Sequence, residues 1–159
     1  MKFNFLSGDE KKKAFNYLIE RFGFPPSLFE RFDCYKTAKE IRICSLGCQE
    51  YLNKVLNVCD LGFAALRIGK TVKPTTTFVQ MFGHLASRNI VEMSEQEARN
   101  FISGMDLELQ NLNGASDGYV IVRYGEDCLG LGLLRGKFLL NQVPKRKRLN
   151  LIEEFEQKD

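Results

Sequence analysis

The sequence predicts an α+β fold: an N-terminal α/β domain over residues 1–87, then a small β-rich domain over residues 88–159 with a charged C-terminal tail. Three observations predict it. Helix-spaced and strand-spaced apolar residues alternate through the first half. Glycine-punctuated β-branched and aromatic runs fill the second half. No repeat, low-complexity segment or long linker lies between them. A length of 159 residues fits one domain or two small ones.

The elements follow in order. Ser7 to Glu10 reads as a capping box, and Ala14, Phe15, Leu18 and Phe22 continue at helical spacing. Gly23 stops that helix, and Pro25-Pro26 turns the chain into a short helical turn around Leu28–Phe32. Lys39–Cys44 alternates as a strand, Ser45 is placed to cap a helix reaching about Leu56, and Val58–Arg67 is another strand. After Lys73-Pro74, Thr75–Ala86 puts Phe78, Phe82 and Leu85 on one helical face. In the second half Ile90-Val91 is strand-like, and Ser94 to Glu97 forms a second capping box. Ala98, Phe101 and Ile102 are the buried side of that helix, which Gly104 closes. Gly118–Tyr124, Cys128–Leu134 and Lys137–Leu140 are successive strands with Gly125 and Gly136 at the turns.

Composition narrows the function. With 44% hydrophobic and 27% charged residues the chain is not intrinsically disordered. No run approaches the roughly 18 apolar residues of a membrane helix, and Met1–Glu10 is too polar for a secretory signal, so no membrane partner is expected. Five cysteines make an odd set, which fits reduced thiols and a cytoplasmic location. Cys44 and Cys48 form a C-x3-C pair, but a structural zinc site wants four ligands and the sole histidine, His84, is distant. Neither metal nor cofactor is expected.

Charge is segregated. Leu61–Val91 contains no acid but holds Arg67, Lys70, Lys73, His84 and Arg88. Leu129–Ile152 likewise holds Arg135, Lys137, Lys145, Arg146, Lys147 and Arg148 without an acid. Such a layout gives a basic footprint despite a net charge of only +3. Arg123, alternating with Val120 and Val122, joins this set if its strand is an edge. Gly130, Gly132 and Gly136 are not a phosphate loop, because another strand follows where a helix is required; close backbone packing explains them better. No nucleophile elbow occurs, and His84 lacks an evident catalytic companion, so an enzyme is not expected. An exposed His84 would add a phosphate donor instead. Tyr119 and Tyr124 are open to either base stacking or packing, with packing favoured for Tyr119.

Val91–Leu107, with its strand, helix and glycine-ended turn, then Gly118–Val122 and Leu129–Gly132, resembles a PUA domain, a small RNA-binding pseudo-barrel. Gly136–Lys145 is similar to the end of the Sun/Fmu-type RNA cytosine-5 methyltransferases. Leu61–Lys70, Lys73-Pro74-Thr75 and the helix through His84 are similar to the segment before the PUA-like part of those enzymes. The two-part layout also resembles ribosome-biogenesis factors that pair a pre-PUA domain with a PUA domain. None of the cysteines follows a proline, as the methyltransferase catalytic cysteine does, and no cofactor-binding βαβ unit is present.

The resemblance therefore implies a non-catalytic RNA-binding protein in rRNA or tRNA maturation or modification: a ribosome-biogenesis factor or a targeting subunit. Its expected partners are structured RNA and a separate RNA-modifying enzyme or pre-ribosomal proteins. The alternative is a protein-interaction adaptor that recruits such an enzyme. Arg67, Lys70, Lys73 and Arg88, with Arg123, Arg135, Lys137 and Lys145–Arg148, are expected to line one basic face. The resemblance adds Gly104, Met105 and Asp106, where a glycine would let RNA approach main-chain amides.

Overall fold

The structure is a computed structural model and describes residues 3–52, 54–55 and 57–158. The chain forms two compact units, Met1–Thr75 and Thr76–Asp159.

The first unit contains β1 (Asn4–Phe5), α1 (Gly8–Phe22), β2 (Phe32–Lys36), β3 (Glu40–Ser45), α2 (Cys48–Leu52), β4 (Phe63–Ile68) and β5 (Val72–Pro74). Its capping box forms as the sequence predicts: Ser7 N–H donates to Glu10 Oε2 at 2.8 Å, and Glu10 N–H to Ser7 Oγ at 3.3 Å. Phe15, Leu18 and Phe22 are buried on one face of α1, and Gly23 closes it with an amide bond to Ile19 O. The proline turn is a 3-10 helix over Pro26–Arg31, where Phe29 stacks on Phe15 at 4.3 Å.

The sheet runs β1-β2-β3-β4-β5, and every pair is antiparallel. The first half is therefore a meander with helices added, not an alternating α/β unit. Its tight turns at 37–39 and 69–71 are too short for parallel crossovers.

Two expectations fail locally. Ser45 ends β3 instead of capping a helix. The carboxylate of Asp33, across the sheet, receives the amides of Gly47 (2.9 Å) and Gln49 (3.2 Å), and α2 has only five residues. The expected helix end at Leu56 lies outside the described residues. The strand expected from Val58 begins only at Phe63, because the preceding segment serves as an acceptor platform. Tyr35 Oη donates to Leu61 O at 2.7 Å, and Arg42 pairs with Asp60 at 3.0 Å.

The second unit contains α3 (Thr76–Phe82), a 3-10 turn (Gly83–Leu85), β6 (Ile90–Glu92), α4 (Glu95–Ile102), β7 (Leu107–Glu108), β8 (Gly118–Tyr124), β9 (Asp127–Arg135), β10 (Phe138–Asn141) and α5 (Lys145–Gln157). Its sheet runs β6-β8-β9-β10-β7 and curls into a half-barrel. The β6–β8 pair is parallel, with α4 in the crossover, and the rest are antiparallel. One face buries Val91, Ala98, Phe101, Val120, Val122, Leu134 and Leu139.

α3 packs against β9 and belongs to this unit, so the compact unit begins at Thr76 and not at residue 88. Close packing requires small residues here: a Cβ on Gly83 would lie 2.8 Å from Cys128 Sγ. Gly130 and Gly132 likewise lie within β9, where added Cβ atoms would stand 2.6 Å from Val143 Cγ2 and 2.4 Å from Leu139 Cδ1. Their role is close approach.

The expected C-terminal tail is helical. α5 buries Leu151, sets Phe155 5.4 Å from Tyr124, and receives the Arg99 guanidinium 4.8 Å over the Phe155 ring.

Candidate nucleic-acid interface

The site is built where α4 ends. Ser94 and Glu97 form the predicted capping box, and the helix closes with two nested bonds: Gly104 N–H to Phe101 O (3.0 Å) and Met105 N–H to Asn100 O (3.1 Å). This is a Schellman closure, which needs a left-handed residue, and Gly104 has φ +101°. Asn141, at the end of β10, ties the turn down. Its Nδ2 donates to Phe101 O at 2.6 Å and Met105 O at 3.3 Å, and its main-chain N–H donates to Asp106 Oδ1 at 2.7 Å. Its Oδ1 accepts from Val143 N–H at 2.9 Å.

That geometry changes the expected role of the turn. The amides of Gly104 and Met105 are engaged within the helix closure, and the open side of Gly104 is covered by Arg148. A Cβ there would lie 2.3 Å from Arg148 Nη1. Arg148 Nε is held by Val143 O at 3.0 Å. A ligand at this turn therefore meets a guanidinium backed by glycine, not main-chain amides. Met105 is half exposed beside it, and one Asp106 oxygen is committed to the Asn141 amide.

Arg148 stands in the first turns of α5, whose opening residues Lys145, Arg146, Lys147 and Arg148 follow Pro144. Lys145 and Arg146 are exposed, whereas Lys147 Nζ donates to Thr77 Oγ1. Cations at a helix N-terminus repel the positive end of the helix dipole, and a bound anion relieves that repulsion. The four are thus divided: two project outward and two are positioned by neighbours.

The remaining predicted residues are distributed more widely. Arg67, Lys70 and Lys73 belong to the first unit, on β4, the turn and β5. Burial, with Arg67 nearby, lowers the affinity of Lys73 for its proton. Arg88 is exposed just before β6. Arg135 and Lys137 flank the β9–β10 turn, both exposed, and Lys137 pairs with Glu108 at 2.7 Å.

Arg123 does not sit on an edge. β8 lies between β6 and β9, and a register shift after Val122 folds Arg123 inward, 3.6 Å from Glu92 with only 20% of its side chain exposed. His84 is exposed, but it lines a cleft of about 340 Å³ shared with Glu126, Asp127 and Glu154, surroundings that disfavour phosphate. Tyr124 packs on Phe155. Among the described residues no three His, Cys, Asp or Glu side chains converge as a metal site, and no helix is long and apolar enough to cross a membrane.

Sequence reasoning missed Asn141 and Thr77, whose partners lie 36–40 and 70 residues away respectively. The only local sign of Asn141 is a polar residue closing the apolar run Phe138–Leu140.

The second unit thus joins a curled sheet with one parallel edge pair to a helix that ends in a glycine turn beside the basic start of α5. Residues 88–149 match the family model described as the methyltransferase RsmF PUA domain. The chain thus carries a PUA domain resembling the C-terminal region of Sun/Fmu-type RNA cytosine-5 methyltransferases. This family points to RNA binding. No curated protein matches the chain significantly.

Proposed function

We propose that the protein is a non-catalytic, cytoplasmic RNA-binding factor in rRNA or tRNA maturation, holding structured RNA through the basic surface of its second unit. The supporting observation is the Gly104–Arg148 turn, next to the exposed Lys145 and Arg146, within the segment that matches the PUA model. In this reading Arg148 contacts a phosphate or 2′-hydroxyl at the turn, while Lys145, Arg146 and Arg88 set the orientation of the duplex.

The test is binding of tRNA and an rRNA helix fragment to the purified protein across a salt series, beside Lys145→Ala/Arg146→Ala. Submicromolar, steeply salt-dependent binding weakened in the variant supports the proposal. Binding no tighter than the non-specific range of about 10⁻⁴–10⁻⁶ M, unchanged in the variant, overturns it.

A second reading, recruitment of a separate RNA-modifying enzyme or pre-ribosomal protein, is favoured by an apolar set in the first unit. Leu46, Tyr51 and Val55 are 65%, 68% and 54% exposed around α2. Leu46→Ser/Tyr51→Ser would abolish co-purification of such a partner without altering RNA affinity.

A further inference from the structure

We propose that Phe138, with Arg135 and Lys137, is a stacking platform for an unpaired nucleotide next to the structured RNA; the proposal rests on the RNA-binding reading above. Phe138 opens β10 and is 53% exposed, although β10 is hydrogen-bonded on both sides, to β9 and β7. Its direct cross-strand partners are Arg135 and Glu108. Directly opposed residues project from the same face, so the ring stands in a row between a guanidinium and a carboxylate. Lys137 Nζ lies 5.8 Å from the ring centroid and 2.7 Å from Glu108 Oε1. Glu108 therefore holds the ammonium beside the ring and takes up its charge, while Arg135 remains an exposed cation on the other side.

The chemistry selects a nucleobase. An exposed phenylalanine face is sequence-tolerant toward bases, and a flanking guanidinium supplies the backbone contact that a stacked nucleotide needs. Charge argues against a duplex pressed flat on this row, because the Glu108–Lys137 pair leaves no free positive charge to receive phosphate on that side. A single extruded base on the ring, with its phosphate on the Arg135 side, meets the cation of the row that is exposed and not paired with Glu108.

β10 carries Phe138 at its start and Asn141, the anchor of the Gly104 turn, at its end, about 10 Å along the strand; the two project from opposite faces, Asn141 toward the end of α4 and Phe138 outward. RNA held at Gly104 and Arg148 therefore reaches the ring through a single-stranded extension that passes round the sheet edge.

The experiment compares a blunt RNA hairpin with the same hairpin bearing a three-adenosine single-stranded extension at either end, bound to the wild type, Phe138→Ala, Phe138→Tyr and Arg135→Ala. A 2-aminopurine in the extension reports stacking by quenching. The expected result is roughly ten- to hundred-fold tighter binding of one extended hairpin by the wild type. Phe138→Ala abolishes that gain and the quenching but leaves blunt-hairpin affinity and melting temperature unchanged, Phe138→Tyr retains it, and Arg135→Ala reduces it. If the blunt hairpin binds but neither extension adds affinity, or if Phe138→Ala keeps the gain, the platform is wrong and the RNA-binding reading stands. If the wild type binds neither RNA with salt dependence, the RNA-binding reading falls and takes the platform with it.

Discussion

Arg148 occupies the space that a side chain at position 104 would need: its Nη1 lies 2.3 Å and its Cζ 2.7 Å from the site of a Gly104 Cβ. Both residues lie within the matched segment, Arg148 at its end, so the glycine's identity is dictated by a side chain 44 positions later as well as by its own backbone. Gly104→Ala would meet both penalties. The left-handed backbone alone costs about 1–2 kcal/mol, and the guanidinium must also leave its place. Chemical denaturation should show at least that loss, with weaker RNA binding that Arg148→Ala does not weaken further.

Asn141 gives a sharper test of the turn's scaffold. Its amide nitrogen faces the carbonyls of Phe101 and Met105, so Asn141→Asp replaces a donor by an anion against two acceptors. Asn141→Ala leaves the turn without this donor, a loss of about 1–3 kcal/mol. The aspartate variant should be less stable than the alanine variant at neutral pH, and equal melting temperatures would contradict the assigned hydrogen bonds.

The cations of α5 should separate by function. Lys145→Ala/Arg146→Ala should reduce the slope of log K against log salt by about 1.4–1.8, the contribution of two phosphate contacts, without lowering thermal stability, because both cations oppose the helix field at the start of α5. Arg148→Ala should lower both affinity and stability, because its Nε also secures Val143 O. Affinity and melting curves on the same preparations check both.

What the sequence discloses is what neighbours in the chain decide. Both capping boxes, the Gly23 stop and β8–β10 are local patterns, and they form as read. β2 escapes because Cys34 and Tyr35 are buried consecutively, which breaks the alternation a half-buried strand displays. α5 escapes because Leu151 is its only buried residue, and its charges oppose the order expected of a helix. At the site, Gly104, Arg148 and the basic run are legible as residues, but their arrangement is not. Asn141 organises it through contacts 35–40 residues distant.

Two buried thiols predict a response to alkali. Burial pushes Cys34 up to about 12, and burial with Cys48 nearby pushes Cys44 up to about 12, from an ordinary 9.0. Raised folded values mean that their contribution is complete below pH 9 and is lost between 9 and 12, as the unfolded thiols ionise and the folded ones do not. Each thiol adds up to about 1.4 kcal/mol per pH unit to that decline. Burial raises Tyr35 above its ordinary 10.0 and Cys128 above 9.0, and lowers Lys73, so the interval from pH 9 to 10 holds Cys128 and Lys73 beside Cys34 and Cys44. Cys34→Ala/Cys44→Ala should make the fall in stability there shallower than in the wild type, and at pH 8 native alkylation should favour exposed Cys59 over Cys34 and Cys44.

α5 carries Lys145–Arg148 at its start and Glu153, Glu154 and Glu156 toward its end, so both groups of charge oppose the field of the helix backbone. Screening acts on that opposition as well as on the attraction for RNA. In the free protein, added salt should slow amide exchange in α5, because the frustrated ends are relieved. In the complex, the same salt removes the ligand. Ionic strength thus moves one helix in two directions: the exchange rate of its first turn should fall steadily with salt in the free protein, and should rise through a maximum when the titration starts from the RNA complex.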